Sequence, residues 1–447
     1  MKTNSGRSAG AEAISKITSG NLIGQTHRKM GIEEGGITHL ILGANAEGEQ
    51  ERSAEGDKSL HGAKIAHYLR RMNAIHMVDL KSQYDRIQSE IDEAVLRVIR
   101  STAFINGPEV KGFQEELEHY LGVKHVIPCA NGTDALQIAM MALGLEPGDE
   151  VITASFTYIA TAEVIALLRL KPVLVEVNPK TFNIDPEAIE KAITPKTKAI
   201  VPVHLFGQCA DMEPILAIAK KHNLFVVEDT AQAIGAKYTF SDGTVKRAGT
   251  MGHIGATSFF PSKNLGCYGD GGALFTNDDE LAKSMRMIAN HGQTVRYYHD
   301  SIGVNSRLDS LQAAILRIKL RHLDAYSAAR NALANAYDEA FAGSSKLATP
   351  YRDPKSTHVF HQYTLISEGI DRFGMQEFLA SKNVPSMVYY PVPVHLQKAY
   401  TDPRYQPGDF PITEFLCQRV ISLPMHTEMQ ADQLAHVVAC VKEFLAR

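Results

Sequence analysis

Apolar positions show little periodicity in the first part of the chain. Residues 1–76 hold eleven of the 33 glycines, together with many Ser, Glu and His residues. A segment of this composition has too few apolar side chains to form a buried face, so we expect a disordered N-terminal extension. The alternative is that translation starts at Met77, and mass spectrometry of the protein from its native host would distinguish the two.

The pattern becomes regular from Met77 onwards. Ser82 is a candidate N-cap for a helix over 83–100. The apolar residues of this stretch recur at helical spacing: Ile87, Ile91, Val95 and Val98. Because this spacing places them on one face, we expect an amphipathic helix at the start of the folded region.

Short β-branched runs alternate with helical patterns from about residue 126. The runs predict seven strands, over Val126–Ala130, Val151–Phe156, Pro172–Val177, Ala199–Leu205, Phe225–Asp229, Thr257–Phe260 and Gly272–Thr276. Helices are predicted between the first five strands, over 133–144, 160–169, 186–193 and 211–222. This alternation is typical of an α/β fold whose mainly parallel sheet has helices on both faces. Ligands of such folds bind beyond the carboxyl ends of the strands.

A second, smaller region follows the predicted sheet. The apolar spacing predicts one long helix over Ser306–Tyr337 and an α+β region after about residue 345. We therefore expect a large domain over 77–325 and a small C-terminal domain, with the linking helix, over 326–447.

Composition and charge argue against a protein that binds nucleic acid, a membrane or a metal ion. The 447 residues include 46 basic and 50 acidic ones, for a formal net charge of −4. This balance gives no electrostatic reason to expect a nucleic acid or an acidic membrane as partner. The five cysteines lie far apart without a CxxC pair, and no apolar run approaches the roughly 20 residues of a membrane span. We expect a reduced, cytoplasmic protein without a metal site.

Two predicted strand ends suit an anionic group and a cationic ring nitrogen. Gly132, Thr133 and Asp134 open a predicted helix, where free N–H groups and the helix dipole favour a phosphate. An ordinary helix cap has the same composition. Asp229 ends a buried apolar run and needs a cationic partner there, and a protonated pyridine nitrogen would be one. A carboxylate that caps a helix is the alternative.

Two further strand ends supply an amine and an aromatic ring. Lys263 follows Ser258 by five residues and leads into a glycine-rich loop. A lysine in a closed pocket can lose its proton and attack a carbonyl, whereas a lone loop lysine is usually solvated. Tyr158 could stack on a flat ring or pack in the core. Together the four features require one ligand with a phosphate, a flat ring, a basic ring nitrogen and an aldehyde, which pyridoxal 5′-phosphate (PLP) provides.

These motifs, in this order and spacing, resemble the sugar aminotransferases of the DegT/DnrJ/EryC1/StrS family. The resemblance extends from Met77 to the C-terminus and includes Gly303-Val304-Asn305-Ser306-Arg307. It implies PLP-dependent transferase fold type I, the aspartate-aminotransferase fold. That fold is α/β, with a large, mainly parallel sheet domain and a smaller C-terminal α+β domain.

The resemblance also implies roles for the matching residues. Lys263 bonds covalently to PLP and moves a proton between the substrate and the cofactor, and Asp229 keeps the ring nitrogen protonated. The other implied cofactor contacts are Gly132, Thr133, Asp134, Tyr158, Gln232 and Ser258. Asn305 reaches the phosphate from a neighbouring subunit, which implies a homodimer with shared active sites.

The implied reaction transfers an amino group from L-glutamate to a 3-oxo nucleotide sugar. The resemblance favours UDP-2-acetamido-2-deoxy-3-oxo-D-glucuronate as the acceptor, in the biosynthesis of bacterial surface polysaccharide such as the O-antigen of lipopolysaccharide. Arg307 is the candidate for binding the uronate carboxylate, because arginine pairs with carboxylates through two hydrogen bonds. Tyr389 and Tyr390 are further substrate candidates. Tyr389 departs from the His-Tyr-Pro pattern of the uronate enzymes, so the exact sugar stays open.

Three other functions stay open on the sequence alone. One is amino transfer to another 3-oxo or 4-oxo dTDP- or UDP-6-deoxysugar. Another is a PLP-dependent sugar dehydratase, although some of these enzymes carry histidine where this chain has Lys263. The third is a non-enzymatic regulator, which the near-neutral charge and the complete set of site residues disfavour. Two conspicuous side chains, His204 and Cys267, are interpreted as structural.

Overall fold

The computed structural model describes residues 74–447, and predictions about residues 1–73 lie outside the described residues. Helix α1 (Leu80–Ser101) opens the fold and is followed by α2 (Pro108–Leu121). The prediction of Ser82 as the N-cap of α1 is wrong. Asp79 is the cap, because its carboxylate accepts a hydrogen bond from the Ser82 N–H at 2.9 Å, and the helix therefore begins three residues earlier than predicted.

A seven-stranded sheet forms the centre of the described fold. Its strands are β1 (His125–Cys129), β2 (Glu150–Ala154), β3 (Lys171–Val175), β4 (Thr197–Val201), β5 (Phe225–Asp229), β8 (Ile254–Ser258) and β9 (Gly272–Thr276). The spatial order is β1-β9-β8-β5-β4-β2-β3. All neighbours pair in parallel except β9, which runs antiparallel to both β1 and β8. The predicted α/β fold with a mainly parallel sheet is confirmed.

Five helices connect and cover these strands. They are α3 (Gly132–Ala142), α4 (Ala160–Leu167), α5 (Pro186–Ala192), α6 (Met212–His222) and α7 (Asp279–Ala289). Neighbouring residues of β4 show that both faces of the sheet are buried: Ile200 belongs to one apolar cluster, whereas Ala199 and Val201 belong to another. A strand buried on both faces reads as a continuous apolar run, which is why these strands were visible in the sequence.

Two short hairpins and one long helix complete the first part of the fold. The hairpins pair β6 (Lys237–Thr239) with β7 (Val245–Arg247), and β10 (Gln293–Val295) with β11 (Tyr298–His299). Helix α8 (Ser310–Phe341) is the predicted long helix, but it begins and ends four residues later than the predicted Ser306–Tyr337.

A three-stranded antiparallel sheet lies in the C-terminal part. Its strands are β12 (Leu347–Ala348), β13 (Tyr363–Ser367) and β14 (Val420–Leu423), in that spatial order. The accompanying helices are α9 (Arg372–Ser381), α10 (Pro411–Arg419) and α11 (Ala431–Leu445). The boundary between residues 325 and 326 stays a prediction. No helix within residues 74–447 combines the length and apolar character that crossing a bilayer requires.

The segment directly before Met77 packs against the C-terminal core. Ile75 is buried in the apolar cluster that contains Leu333 and Val437. The carbonyl of Ala74 accepts a hydrogen bond from the Gln433 side chain at 3.3 Å. The last residues of the predicted extension therefore contribute to the described fold.

Candidate active site

A cavity of about 570 Å³ opens at the carboxyl ends of the central strands. Nine of the twelve residues predicted for the site line it: Gly132, Thr133, Tyr158, Asp229, Gln232, Ser258, Lys263, Tyr389 and Tyr390. A second, more open depression of about 640 Å³ lies between α2 and α8 and contains none of the predicted residues. The first cavity is therefore the candidate active site.

One end of the cavity is formed by the start of α3. The Asn131 side chain caps this helix by accepting a hydrogen bond from the Asp134 N–H at 2.8 Å. The other N–H groups of the first turn have no intrahelical partner. A Cβ atom at Gly132 would lie 2.5 Å from the Ser258 Cβ, so only glycine lets the helix start approach Ser258 this closely. The resulting cradle of N–H and hydroxyl groups suits a phosphate.

Asp229 lies at the carboxyl end of β5, on the floor of the cavity, and is 7% exposed. One carboxylate oxygen accepts a hydrogen bond from the Thr161 hydroxyl at 2.8 Å, and the other accepts one from the Ala231 N–H at 3.0 Å. These neutral donors fix the carboxylate but do not neutralise its charge. Within residues 74–447, no cationic side chain forms an ion pair with Asp229, although its charge acts on the Lys263 amine in the same cavity, so the carboxylate can take a cationic ligand group as a direct partner.

Lys263 follows β8 in a turn in which its backbone N–H bonds to the Phe260 carbonyl at 2.8 Å. Burial lowers the pKa of its amine to about 8, although the negative charge of Asp229 acts in the opposite direction. In the described chain, no hydrogen bond or ion pair engages this amine. More of the amine is therefore unprotonated near neutral pH than for an exposed lysine, and this form can act as a nucleophile or base.

Gln232 and two tyrosines form the side of the cavity. The Gln232 amide oxygen accepts a hydrogen bond from the Phe206 N–H at 2.7 Å, and its amide nitrogen donates to the Tyr390 hydroxyl at 3.0 Å. Burial raises the pKa of Tyr390 well above its usual range, so its hydroxyl stays protonated. The Tyr158 ring lies 6.1 Å from the Tyr390 ring and is 57% exposed, which leaves its face free to cover a flat ligand.

Three predicted site residues do not line the cavity: Asp134, Asn305 and Arg307. Asp134 lies in the first turn of α3, and Asn305 pairs through its backbone with Asn290. The Arg307 guanidinium has no hydrogen bond or ion pair within the described residues, and its Nε atom is buried. The intervening residue Ser306 accepts a hydrogen bond from the Ala130 N–H at 3.0 Å, which holds this segment next to the phosphate cradle.

The structure adds residues that the sequence did not indicate. Thr161, from the first turn of α4, orients Asp229, and His361 and Gln362, from the segment before β13, line the cavity. His361 and Gln362 follow no strand of the large sheet, and Thr161 lies in the helix after β2 rather than at the strand end. No signal in the sequence distinguishes them from core residues.

His204 and Cys267, which were interpreted as structural, have buried surroundings in keeping with that interpretation. His204 is fully buried, contacts Glu228 at 2.9 Å through Nε2 and accepts a hydrogen bond from the Ala210 N–H through Nδ1. The Glu228 carboxylate also accepts hydrogen bonds from three backbone N–H groups, those of Gly249, Met251 and Gly252. Burial raises the pKa of the Cys267 thiol to about 11, so it is not an activated nucleophile.

Comparison with known proteins gives one consistent result. The model of the DegT/DnrJ/EryC1/StrS aminotransferase family matches residues 85–442. The chain is 47% identical over 367 residues to the UDP-2-acetamido-2-deoxy-3-oxo-D-glucuronate aminotransferase of Pseudomonas aeruginosa, covering 82% of this chain and 99% of that protein. It is also 47% identical over 372 residues to a "pleiotropic regulatory protein" of Geobacillus stearothermophilus, covering 83% and 98%.

Solved structures share the fold over the same region. Streptomyces venezuelae DesV, in complex with a ketimine intermediate, has a TM-score of 0.80 and 40% identity, covering 84% of this chain and all of that chain. Bacillus subtilis NtdA with bound cofactor PMP has a TM-score of 0.74 and 32% identity, covering 80% and 82%.

Proposed function

The chain belongs to the DegT/DnrJ/EryC1/StrS aminotransferase family, and from this premise we propose that it uses PLP to transfer the amino group of L-glutamate to a 3-oxo nucleotide sugar. The observation that carries the proposal is the convergence of two buried charges in one cavity. The Lys263 amine has a lowered pKa and no hydrogen bond within the described residues, and the Asp229 carboxylate there forms no ion pair.

The residues present fit PLP at three places. The cradle of Gly132, Thr133 and Ser258 offers N–H and hydroxyl donors to a phosphate. Asp229 offers a carboxylate to a protonated ring nitrogen, and Lys263 offers an amine to an aldehyde. The similar NtdA structure contains PMP, the amino form of the same cofactor.

The chain's own side chains have separable tasks in this proposal. PLP, when bound, supplies an electron sink that allows a proton to leave and return at the reacting carbon. Lys263 carries that proton, because its pKa of about 8 lets the amine release and accept it near neutral pH. Asp229 holds the ring nitrogen in its charged form, with Thr161 and Ala231 fixing the carboxylate. Tyr158 covers one face of the ring and excludes water.

We propose UDP-2-acetamido-2-deoxy-3-oxo-D-glucuronate as the acceptor, which places the enzyme in the cytoplasmic synthesis of a bacterial surface polysaccharide. The 47% identity to the Pseudomonas aeruginosa enzyme supports this choice. The unpaired guanidinium of Arg307 supplies the cation that a uronate carboxylate needs. Other relatives are transaminases of dTDP-linked 3-amino sugars, so a deoxysugar acceptor is the competing substrate class.

A homodimer completes the proposed site. Asn305 and Arg307 lie outside the cavity of their own chain, and we infer that they act on the cavity of a second copy. The hairpin β10–β11 and the segment just after it expose large apolar side chains that a partner would cover: Val295, Tyr297, Tyr298 and Ile302.

The test is a panel of 3-oxo and 4-oxo nucleotide sugars, with and without a C6 carboxylate, assayed with L-glutamate. We expect the visible absorbance of the bound cofactor to disappear on addition of glutamate and an aminosugar to form fastest from the 3-oxo uronate. Lys263→Ala should abolish turnover, because no other side chain in the described cavity wall carries an amine.

Each contrary result has a separate meaning. A deoxysugar product would replace the proposal with a dehydratase. A preference for 4-oxo sugars without a carboxylate would overturn the substrate but retain the class. The regulatory name of the Geobacillus stearothermophilus relative motivates one further assay. Salt-dependent binding to DNA, together with absent amino transfer, would favour a regulator.

A further inference from the structure

The buried side chain of His395 connects the C-terminal part of the fold to the large sheet. It does not line the described cavity, yet both of its ring nitrogens are engaged. Nδ1 lies 2.8 Å from the hydroxyl oxygen of Ser155, and Nε2 lies 3.1 Å from a carboxylate oxygen of Glu414 in α10. Because a carboxylate only accepts, Nε2 donates to Glu414, and Nδ1 of the neutral ring accepts from the Ser155 hydroxyl. The two bonds fix the ring in one orientation.

Ser155 holds the C-terminal segment through its backbone as well as its side chain. It is the residue directly after β2 and is fully buried. Its carbonyl accepts a hydrogen bond from the Val394 N–H at 3.0 Å, and its own N–H donates to the Val175 carbonyl at 3.0 Å. One residue of the large sheet region therefore anchors two consecutive residues of the segment, Val394 and His395.

The chain between this anchor and the cavity is short and stiff. Tyr390 lines the cavity, and only three residues separate it from Val394. Two of them are Pro391 and Pro393, and each proline ring fixes its backbone φ angle. The segment thus has few ways to absorb a shift of its anchored end, so a displacement at His395 moves Tyr390.

Tyr390 faces a second tyrosine that Ser155 also positions. The ring centroids of Tyr390 and Tyr158 lie 6.1 Å apart, and the Tyr390 hydroxyl accepts a hydrogen bond from the Gln232 amide at 3.0 Å. Tyr158 comes three residues after Ser155 in the chain. Ser155 therefore fixes one tyrosine through three residues of backbone and the other through His395.

We propose that His395 is a positioning residue whose hydrogen bond with Ser155 sets the separation of Tyr158 and Tyr390 and thereby the fit of the sugar acceptor. This inference rests on the proposed function, in which the acceptor binds against the C-terminal side of the cavity. Side chains that are already in place do not have to be ordered when the ligand binds. Loss of the bond should therefore weaken acceptor binding.

Two substitutions of His395 separate its two hydrogen bonds. His395→Asn places an amide oxygen near the position of Nδ1 and keeps an acceptor for Ser155, whereas His395→Gln places an amide N–H near Nε2 and keeps only a donor for Glu414. We expect His395→Gln to raise the KM for the sugar acceptor roughly 10-fold with kcat within about twofold of wild type, because other strands hold Lys263 and Asp229. His395→Asn should keep the KM within about threefold of wild type. An unchanged KM in His395→Gln, or equal rises in the two variants, would overturn the proposal.

Ser155→Ala removes the same hydrogen bond without altering the histidine. It should raise the acceptor KM as His395→Gln does, and adding His395→Gln to it should change the KM little further. His426→Leu is the matched control, because His426 is also buried, accepts a hydrogen bond from the Glu428 N–H through Nδ1 and does not line the described cavity. A comparable rise of KM in His426→Leu would show that loss of any buried histidine suffices, against the proposal.

Hydrogen exchange at the Val394 N–H tests the anchor without any turnover. The full-length protein is freed of cofactor, and exchange is followed by mass spectrometry of overlapping peptides. We expect about tenfold faster exchange in His395→Gln than in wild type, because the neighbouring bond that holds Val394 to Ser155 is weakened. His426→Leu and His395→Asn should exchange as wild type does, and unchanged protection in His395→Gln would contradict the proposal. This measurement can succeed while the substrate panel fails, and it can fail while amino transfer by the wild-type protein is established.

Discussion

The residues at the floor of the cavity keep the Asp229 carboxylate charged and hold it in one orientation. Asp229 is the last residue of β5, and its two oxygens accept from Thr161 and Ala231. The neighbouring Glu228 is equally buried but is fully engaged with His204 and three backbone N–H groups. Adjacent carboxylates thus have different tasks, because strand alternation directs them to opposite faces of the sheet.

Thr161 provides a prediction at the residue scale. Thr161→Val removes the hydroxyl that donates to Asp229 at 2.8 Å while keeping the shape of the side chain. We expect kcat/KM for amino transfer to fall roughly 10-fold to 100-fold, since a hydrogen bond to a charged group contributes about 1.5–3 kcal/mol. Thr161→Ser keeps the hydroxyl and should stay within about threefold of wild type. Equal losses in the two variants would mean that packing, not the hydrogen bond, sets the effect.

At the scale of elements, the sequence predicts the strands that are buried on both faces of the sheet. It does not predict helix ends and short hairpins whose positions depend on contacts with distant parts of the chain. The run over Phe225–Asp229 coincides with β5, whose residues from Val226 to Asp229 are all buried. The N-cap of α1 was misplaced because Asp79 and Ser82 are both good caps and only the fold selects between them. Hairpins β6–β7 and β10–β11 are short and largely exposed, so they lack an apolar pattern.

The same difference between local pattern and distant packing explains which residues of the cavity the sequence predicts. Residues such as Lys263 and Asp229 follow strands of the large sheet, and the strand-end rule finds them. His361 enters from the segment before β13, more than 90 residues after Lys263 in the chain. Its position results from contacts with Gly207 and Asn264 that have no local signature. The strand-end rule therefore recovers the part of the site built by the sheet. In the C-terminal part, the family resemblance indicated Tyr389 and Tyr390, which line the cavity, but not His361.

The close approach of α3 to β8 gives a prediction at the element scale. Gly132→Ala would place a Cβ 2.5 Å from the Ser258 Cβ, so the helix start must move away from the strand. We expect a loss of stability of about 1–3 kcal/mol and, because the cradle widens, at least tenfold weaker binding of PLP. Thermal unfolding and equilibrium dialysis measure the two effects.

Gly112→Ala is the matched helical control. A Cβ at Gly112 in α2 would meet only the guanidinium end of the Arg317 side chain and no backbone, so its hydrogen bonds to Glu109 and Glu116 need only a local adjustment. Because alanine is the better helix former by about 1 kcal/mol, this variant should be as stable as wild type or slightly more stable, with unchanged PLP affinity. Normal PLP affinity in Gly132→Ala would show that the cradle does not hold the phosphate.

At the scale of the whole molecule, the chain supplies only part of the proposed site to its own cavity. Asn305 and Arg307 carry the polar groups expected at the phosphate and the carboxylate, yet neither lines that cavity. Ser306, between them, is held by the Ala130 N–H, so the segment is fixed beside the cradle. The segment thus has a defined position, and the side chains of Asn305 and Arg307 have polar groups available for binding. In a dimer, these groups would reach the ligand bound in the cavity of the second subunit.

Mixing two inactive variants tests this arrangement. Lys263→Ala lacks the amine and Asn305→Ala lacks the contributed amide, so each homodimer should be inactive or strongly impaired. Random exchange of subunits makes half of the dimers mixed, and each mixed dimer has one site with both residues intact, so about a quarter of the wild-type activity should return. Native mass spectrometry monitors the exchange of subunits. Activity that returns only after this exchange would establish the shared site. Inactive mixtures in which mixed dimers are demonstrably present would mean that Asn305 acts within its own chain, and the dimer would then have no catalytic role.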